Sequence, residues 1–164
     1  MKHYTIYQSI IGDIYIVTEN DTVVSVHIGK EDFTQSENID TMKYDNSHPI
    51  LEEAVKQLSE YFSGNRKDFN LPLREEGTPF QSAVWQQLKK IPYGMTLCYQ
   101  DVAAAIGNEK AVRAIGQANK ANKLPIIIPC HRVIGKNKTL TGYAGKRVNI
   151  KEQLLLLEGA QYKN

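Results

Sequence analysis

Residues 99–120 read YQDVAAAIGNEKAVRAIGQANK. The first eight, 99–106, suit a short helix. Val102 and Ile106 share one face, and the alanines at 103–105 let another helix pack closely. Gly107 can adopt the left-handed conformation that ends a helix, and Asn108 is placed to cap the next one. In that second helix Val112 and Ile115 point inward. Lys110, Arg113, Gln117 and Lys120, spaced i, i+3, i+7 and i+10, share the opposite face. Two short helices joined by a Gly-containing turn match a DNA-binding helix-turn-helix. They match equally well a structural helical hairpin with a solvated face. The small residues Ala114, Gly116 and Ala118 allow close approach to a nucleic-acid backbone, or to a neighbouring helix.

Charge points the same way. Residues 1–75 carry 7 Lys and Arg against 13 Asp and Glu, a net −6, and residues 76–164 carry 13 against 5, a net +8. A basic half joined to an acidic one directs attention to a polyanionic partner on the basic side.

Upstream, Thr78-Pro79-Phe80-Gln81 is a capping box with Pro at the first helical position. Phe80, Val84 and Leu88 form that helix's apolar stripe, and Pro92-Tyr93-Gly94 ends it. Arg74–Gly77 marks the domain boundary, dividing the chain into 1–75 and 76–164. Before it, Tyr4–Tyr7, Ile14–Val17 and Val23–Ile28 are rich in β-branched and aromatic residues and read as strands. Gly12-Asp13 breaks the first from the second, and Asn20-Asp21 turns the second into the third. The polar stretch 29–47 reads as a loop. Ser47 is placed to cap a helix with Pro49 in its first turn and Leu51, Val55, Leu58 and Phe62 on one face, ending at Gly64. Phe69–Leu71 reads as a last strand. The fold class is α+β.

The 164 residues, 41% hydrophobic and 23% charged, have ordinary globular usage. No apolar run approaches the roughly 18 residues that span a bilayer, and the alternating N-terminus has no signal-peptide pattern. Two cysteines, Cys98 and Cys130, are too few for a disulfide scaffold and suit a reducing, cytoplasmic setting.

The segment 124–135, LPIIIPCHRVIG, carries the chemistry. An apolar run ends in Pro129, and Cys130 and His131 follow at once. A thiol becomes a good nucleophile only when a neighbour lowers its pKa or takes its proton, and His131 and Arg132 both stand beside it. The alternative is that Cys130, like most free cysteines and like Cys98, is a small buried hydrophobe. His3, His27 and His48 are scattered and form no metal-ligand spacing, so no metal site is expected. Glu158, after Leu154–Leu157 and before Gly159, falls at the end of a helix. A carboxylate there opposes the helix dipole by roughly a few tenths of a kcal/mol. It is either a solvated surface residue or a functional one compensated by a His partner.

IPCHRV, preceded by RAIGQAN and followed by LTGYAG, resembles the O(6)-methylguanine-DNA methyltransferases. The likeness runs from GTPFQSAVW through IPYG to LLLLEG, whereas the first half matches in layout alone. The resemblance implies a ribonuclease-H-like α/β domain followed by a winged helix-turn-helix domain. The activity it implies is a single transfer of the alkyl group from O(6)-alkylguanine, or O(4)-alkylthymine, in duplex DNA to a cysteine, with no cofactor. It also implies a monomer whose recognition helix lies in the minor groove and whose target nucleotide is flipped out, since the alkyl carbon is inaccessible within the stack.

By the same resemblance Cys130 is the alkyl acceptor, His131 its base through a water, Glu158 the carboxylate orienting His131, and Asn122 a brace. Arg113 fills the gap left by the flipped base. Tyr99 crowds its phosphate, faces the guanine and can donate a proton to the ring. Gln100, Asn108 and Lys136 touch the DNA backbone. Val133, Tyr143 and Ala144 line the base pocket. Two departures stand out: residues 119–123 read NKANK where relatives often read NGRNP, and GYAGKRVN replaces GYAGG. Outside the family reading, a DNA-binding regulator with a structural or redox-sensing Cys130, a lesion-binding protein without chemistry, and a cysteine hydrolase are the competing classes.

Overall fold

The computed structural model describes residues 1–136 and 148–162. The chain divides into two compact units, Met1–Glu75 and Glu76–Asn164.

In the first unit β1 (Lys2–Ser9), β2 (Gly12–Glu19) and β3 (Thr22–Ile28) form an antiparallel meander. Asn20 and Asp21 both have positive φ, 52° and 60°, as a tight two-residue hairpin turn requires. A short β4 (Met42–Tyr44) adds parallel to β1, giving the order β3-β2-β1-β4. Ile14 through Val17 are all buried, so both faces of β2 are covered. On one face Phe33 stacks on Tyr15 with ring centroids 4.3 Å apart, brought there by α1 (Lys30–Ser36). On the other, Phe62 of α2 (Pro49–Phe62) stacks on Tyr7, the cross-strand partner of Ile14.

Several expectations for this unit are corrected. The 29–47 stretch is not a loop but holds α1, a 3-10 turn over Ile39–Thr41 and β4. Its single buried side chain in α1, Phe33, carries the helix through packing rather than through periodicity. The cap of α2 is His48, whose Nδ1 accepts from the Ile50 amide, because Pro49 at the first helical position makes its predecessor the cap. Ser47 instead bonds Asp45. The buried face of α2 is Leu51, Ala54, Gln57, Leu58 and Tyr61, with Val55 and Phe62 only half-buried. Phe69–Leu71 forms no strand; Leu73 bridges Val23 instead.

In the second unit α3 (Pro79–Lys89) begins with the complete Thr78–Gln81 capping box. Trp85, absent from the expected stripe, is buried, and its indole N–H donates to the Ala118 carbonyl at 2.9 Å. Phe80 is only half-buried. The hairpin comprises α4 (Tyr99–Ala105) and α5 (Val112–Lys120). Gly107 has φ 78°, as expected of a helix stop. Asn108, however, does not cap α5: its carbonyl accepts from the Ala111 amide, and the helix starts four residues later on Ala111 without a side-chain cap. Lys110 therefore lies in the turn, and Val112 is exposed instead of inward. Parallel strands β5 (Leu97–Cys98) and β6 (Val133–Ile134), then α6 (Val148–Glu158), complete the unit. Among the described residues no helix is long and apolar enough to cross a membrane, and no cluster of His, Cys, Asp and Glu suits a metal ion.

Candidate active site

Cys130 opens a 3-10 turn, Cys130–Arg132, that follows Pro129, and it is 2% exposed. The preceding loop is clasped by Asn122. Its Oδ1 accepts from the Leu124 amide and its Nδ2 donates to the Ile128 carbonyl, both at 2.9 Å. The Asn122 side chain also reaches the Cys130 thiol. Burial pushes that thiol up to about 11, with the Asn122 hydrogen bond and the charge of Lys151 pulling the other way. The resting thiol is therefore protonated near neutral pH and needs a base.

An imidazole able to serve as one is adjacent in the chain. The His131 ring is fully buried, and its Nε2 lies 2.7 Å from Glu158 Oε2. The carboxylate accepts, so Nε2 carries the proton and Nδ1 keeps the lone pair. Burial lowers the His131 pKa, against the pull of Glu158. Glu158 is thus neither exposed nor solvated. Arg132 forks onto it, Nε to Oε1 at 2.9 Å and Nη2 to Oε2 at 3.1 Å, and the Gly94 amide donates to Oε1 at 3.3 Å. Burial alone would raise the Glu158 carboxyl, but His131 and the permanent charge of Arg132 outweigh it and hold it at about 2.

Arg132 does not face the thiol, as its place in the sequence had suggested. Its remaining Nη1 donates to the Ile91 carbonyl at 2.7 Å and its guanidinium lies 5.8 Å from the Tyr93 ring centre. Among the described residues the cation that acts on Cys130 is Lys151. It is fully buried, donates to the Val133 carbonyl, and sits 6.0 Å from the Tyr99 ring centre. Burial drives its pKa down to about 8, opposed by the attraction of Cys130. The signal for Lys151 was in the sequence. Residues 151, 154, 155 and 158 form one i, i+3, i+4, i+7 stripe, and a lysine on that buried face needs a reason. Asn119 was also missed. It is 5% exposed, and its Nδ2 donates to the Cys130 carbonyl at 3.3 Å.

The structure thus brings Cys130, His131, Glu158 and Asn122 together, with Val133 and Tyr99 reached through Lys151. Tyr99 begins α4 and is half-buried. Gln100, Asn108, Arg113 and Lys136 are exposed, Arg113 in the first turn of α5. Gln100 donates to the Glu109 carbonyl, at 3.3 Å. Tyr143 and Ala144 lie outside the described residues, as does most of the altered GYAGKRVN segment.

Two family models match. Residues 2–74 match the ribonuclease-like domain, and residues 79–160 the DNA-binding domain, of 6-O-methylguanine DNA methyltransferase. A constitutive methylated-DNA–protein-cysteine methyltransferase of Bacillus subtilis is 49% identical over 164 residues, covering 99% of each chain. The Methanosarcina acetivorans protein of the same name is 43% identical over 96% of this chain and 99% of its own. Among solved structures, Mycobacterium tuberculosis O6-methylguanine methyltransferase superposes with a TM-score of 0.86 at 38% identity, covering 97% of this chain and 93% of that one. The M. tuberculosis protein in complex with DNA gives 0.84 at 37%, covering 96% and 92%. The chain belongs to the 6-O-methylguanine DNA methyltransferase family.

Proposed function

We propose that this protein repairs duplex DNA by moving the alkyl group of O(6)-alkylguanine, and of O(4)-alkylthymine, irreversibly onto Cys130. The observation that carries this reading is the buried Cys130–His131–Glu158 arrangement at the end of a strained loop packed under the C-terminal turn of α5. His131 Nδ1 takes the thiol proton, directly or through one water, and Glu158 fixes the tautomer that makes this possible. Lys151 favours the thiolate by its charge. The sulfur then attacks the alkyl carbon in line. The S–C bond forms, the C–O(6) bond breaks with its electron pair going to the guanine, and Tyr99 supplies a proton to the ring. The product thioether has no easy leaving group, so each molecule acts once.

The exposed face of α5 is the DNA-reading surface, in the minor groove. Gly116 supports this. A Cβ built there meets no described atom within 4 Å, so nothing described in the fold calls for a glycine inside this helix. An outside surface that approaches closely does. Arg113 fills the stack vacated by the flipped nucleotide, and Gln100, Asn108 and Lys136 hold the phosphate backbone. Val133, Tyr143 and Ala144 read the base. The protein works as a monomer in the cytosol, consistent with two free thiols.

The test is incubation with a duplex carrying labelled O(6)-methylguanine, followed by intact-mass and peptide analysis. One methyl per molecule on Cys130 is expected. A methyl on Cys98, or repeated turnover by one molecule, overturns the reading.

A further inference from the structure

The backbone leading to the nucleophile is strained. Ile126 has φ 74°, in the left-handed region that a β-branched residue rarely occupies, and it is 1% exposed. It sits at the apex of a closed loop in which the Ile128 amide bonds the Leu124 carbonyl at 2.8 Å, and Asn122 splints both ends. Two residues on, the chain reaches Cys130. The Cys130 amide is fixed to the Ile128 carbonyl at 2.8 Å. Its carbonyl is held from another element, by Asn119 in the last turn of α5.

Asn119 is an odd choice for a packing residue. Its amide orientation is set by chemistry, since only the NH2 side can face the Cys130 carbonyl. That leaves Oδ1 buried with no hydrogen-bond partner among the described residues. An apolar side chain such as leucine would carry no stranded acceptor, and the Cys130 carbonyl would keep the Val133 amide as a donor. A polar group kept at a cost to stability points to a function. The helix it belongs to is itself pinned at the neighbouring residue, by the Trp85–Ala118 bond.

We propose that Asn119 is a positioning residue for alkyl transfer, holding the peptide carbonyl of Cys130 in place against the strained Leu124–Ile128 loop. The proposal rests on reading Cys130 as the acceptor. Asn122 splints the loop and Asn119 fixes what the loop delivers, so the thiol stays aimed although its approach is under strain.

The experiment is single-turnover transfer from methylated duplex at saturating and sub-saturating concentrations, with melting temperature and pH profile measured alongside. In Asn119→Leu the maximal rate is expected to fall at least about tenfold, the scale at which misaligned reacting groups are felt. Duplex affinity and the pH midpoint stay unchanged, and the melting temperature verifies that the variant is folded. A wild-type maximal rate in the folded variant overturns the proposal, as does a loss confined to affinity. Asn119→Asp is the second arm. Its neutral carboxylic acid can donate to the Cys130 carbonyl and its ionised form cannot. The ratio of its rate to that of the wild type should therefore rise as pH falls from 8 to 6, and a flat ratio overturns the proposal. If the wild-type protein transfers no methyl to Cys130, the functional reading fails first, and the two failures are distinct.

Discussion

Glu158 Oε2 lies 2.7 Å from His131 Nε2, with both side chains fully buried and separated by 26 intervening residues of chain. The carboxylate occupies the last residue of α6, where the helix dipole disfavours it. It stays because the imidazole, the Arg132 fork and the Gly94 amide converge on it. The unfavourable position and the buried His131–Glu158 contact are one feature, since a helix C-terminus directed into the core is what brings a carboxylate to the histidine.

Two exposed residues, Arg113 on α5 and Lys136 just after β6, should separate flipping from general DNA binding. Arg113→Ala should impair repair of a methylated duplex more than transfer from free O(6)-benzylguanine, because unstacking costs roughly a few kcal/mol and a free base has no stack to leave. Lys136→Ala should weaken damaged and undamaged duplexes alike and flatten the salt dependence of binding. Single-turnover rates and salt-titrated binding measure both. Equal loss on both substrates for Arg113→Ala would remove it from the flipping step.

Gly116→Ala should move stability and DNA affinity in opposite directions. Alanine in a helix interior is worth roughly 0.5–1 kcal/mol over glycine, and the new methyl meets no described atom of the protein. The melting temperature should rise while duplex binding weakens. A more stable variant that binds as well as the wild type would place the DNA on another face.

Lys151→Met tests the buried cation. Methionine matches its length and removes a charge whose burial is costly, while the Val133 carbonyl loses its lysine donor, so the two effects on stability oppose one another. The thiol loses the nearby positive charge that opposes its rise to about 11, and its pKa should climb further. Transfer at pH 7 should slow by about tenfold or more, since each pKa unit is a factor of ten in thiolate. Thiol titration and single-turnover rates report the two effects, and an unchanged thiol pKa would exclude an electrostatic role.

What was legible in the sequence was what local chemistry decides. The Thr78–Gln81 box, the Asn20–Asp21 turn and the Gly107 helix stop are each written in two to four consecutive residues. The adjacency of Cys130 and His131 needed no fold at all. What was hidden depends on distant partners. The segment of α1 is polar except for Phe33, and it becomes a helix because Phe33 finds Tyr15 across the sheet. Arg132 looked like a neighbour of the thiol, yet the geometry of the 3-10 turn sends it to Glu158, and among the described residues the charge that acts on Cys130 is that of Lys151. Asn119 is unchanged at the head of a stretch noted for its departures at 120, 121 and 123, and only the return of the chain at Cys130 gives its amide something to hold.

Glu158→Gln brings these strands together, because it keeps the shape and removes the charge. The first consequence is on stability. The folded carboxyl titrates at about 2, below the ordinary 4.5. A depressed carboxyl adds stability above its unfolded pKa and loses it as pH falls through the folded one, here between pH 5 and 2. A shift of that size corresponds to about 3 kcal/mol, so the wild type should weaken over that window and the variant much less, the two converging in acid. At neutral pH the variant also leaves Arg132 buried without its counter-ion and should melt earlier. The second consequence is on chemistry. The glutamine can still accept from His131 Nε2, but the imidazolium formed when His131 takes the thiol proton has lost its carboxylate. Transfer should slow by about 10²-fold, the usual scale of positioned acid–base help, while the final yield stays at one alkyl group per molecule because Cys130 is intact. Raising the pH should restore part of the rate, as solvent hydroxide deprotonates the thiol directly. A folded Glu158→Gln protein that binds duplex normally and reacts at the wild-type rate at pH 7 would take Glu158 out of the mechanism and leave it a structural counter-ion for Arg132.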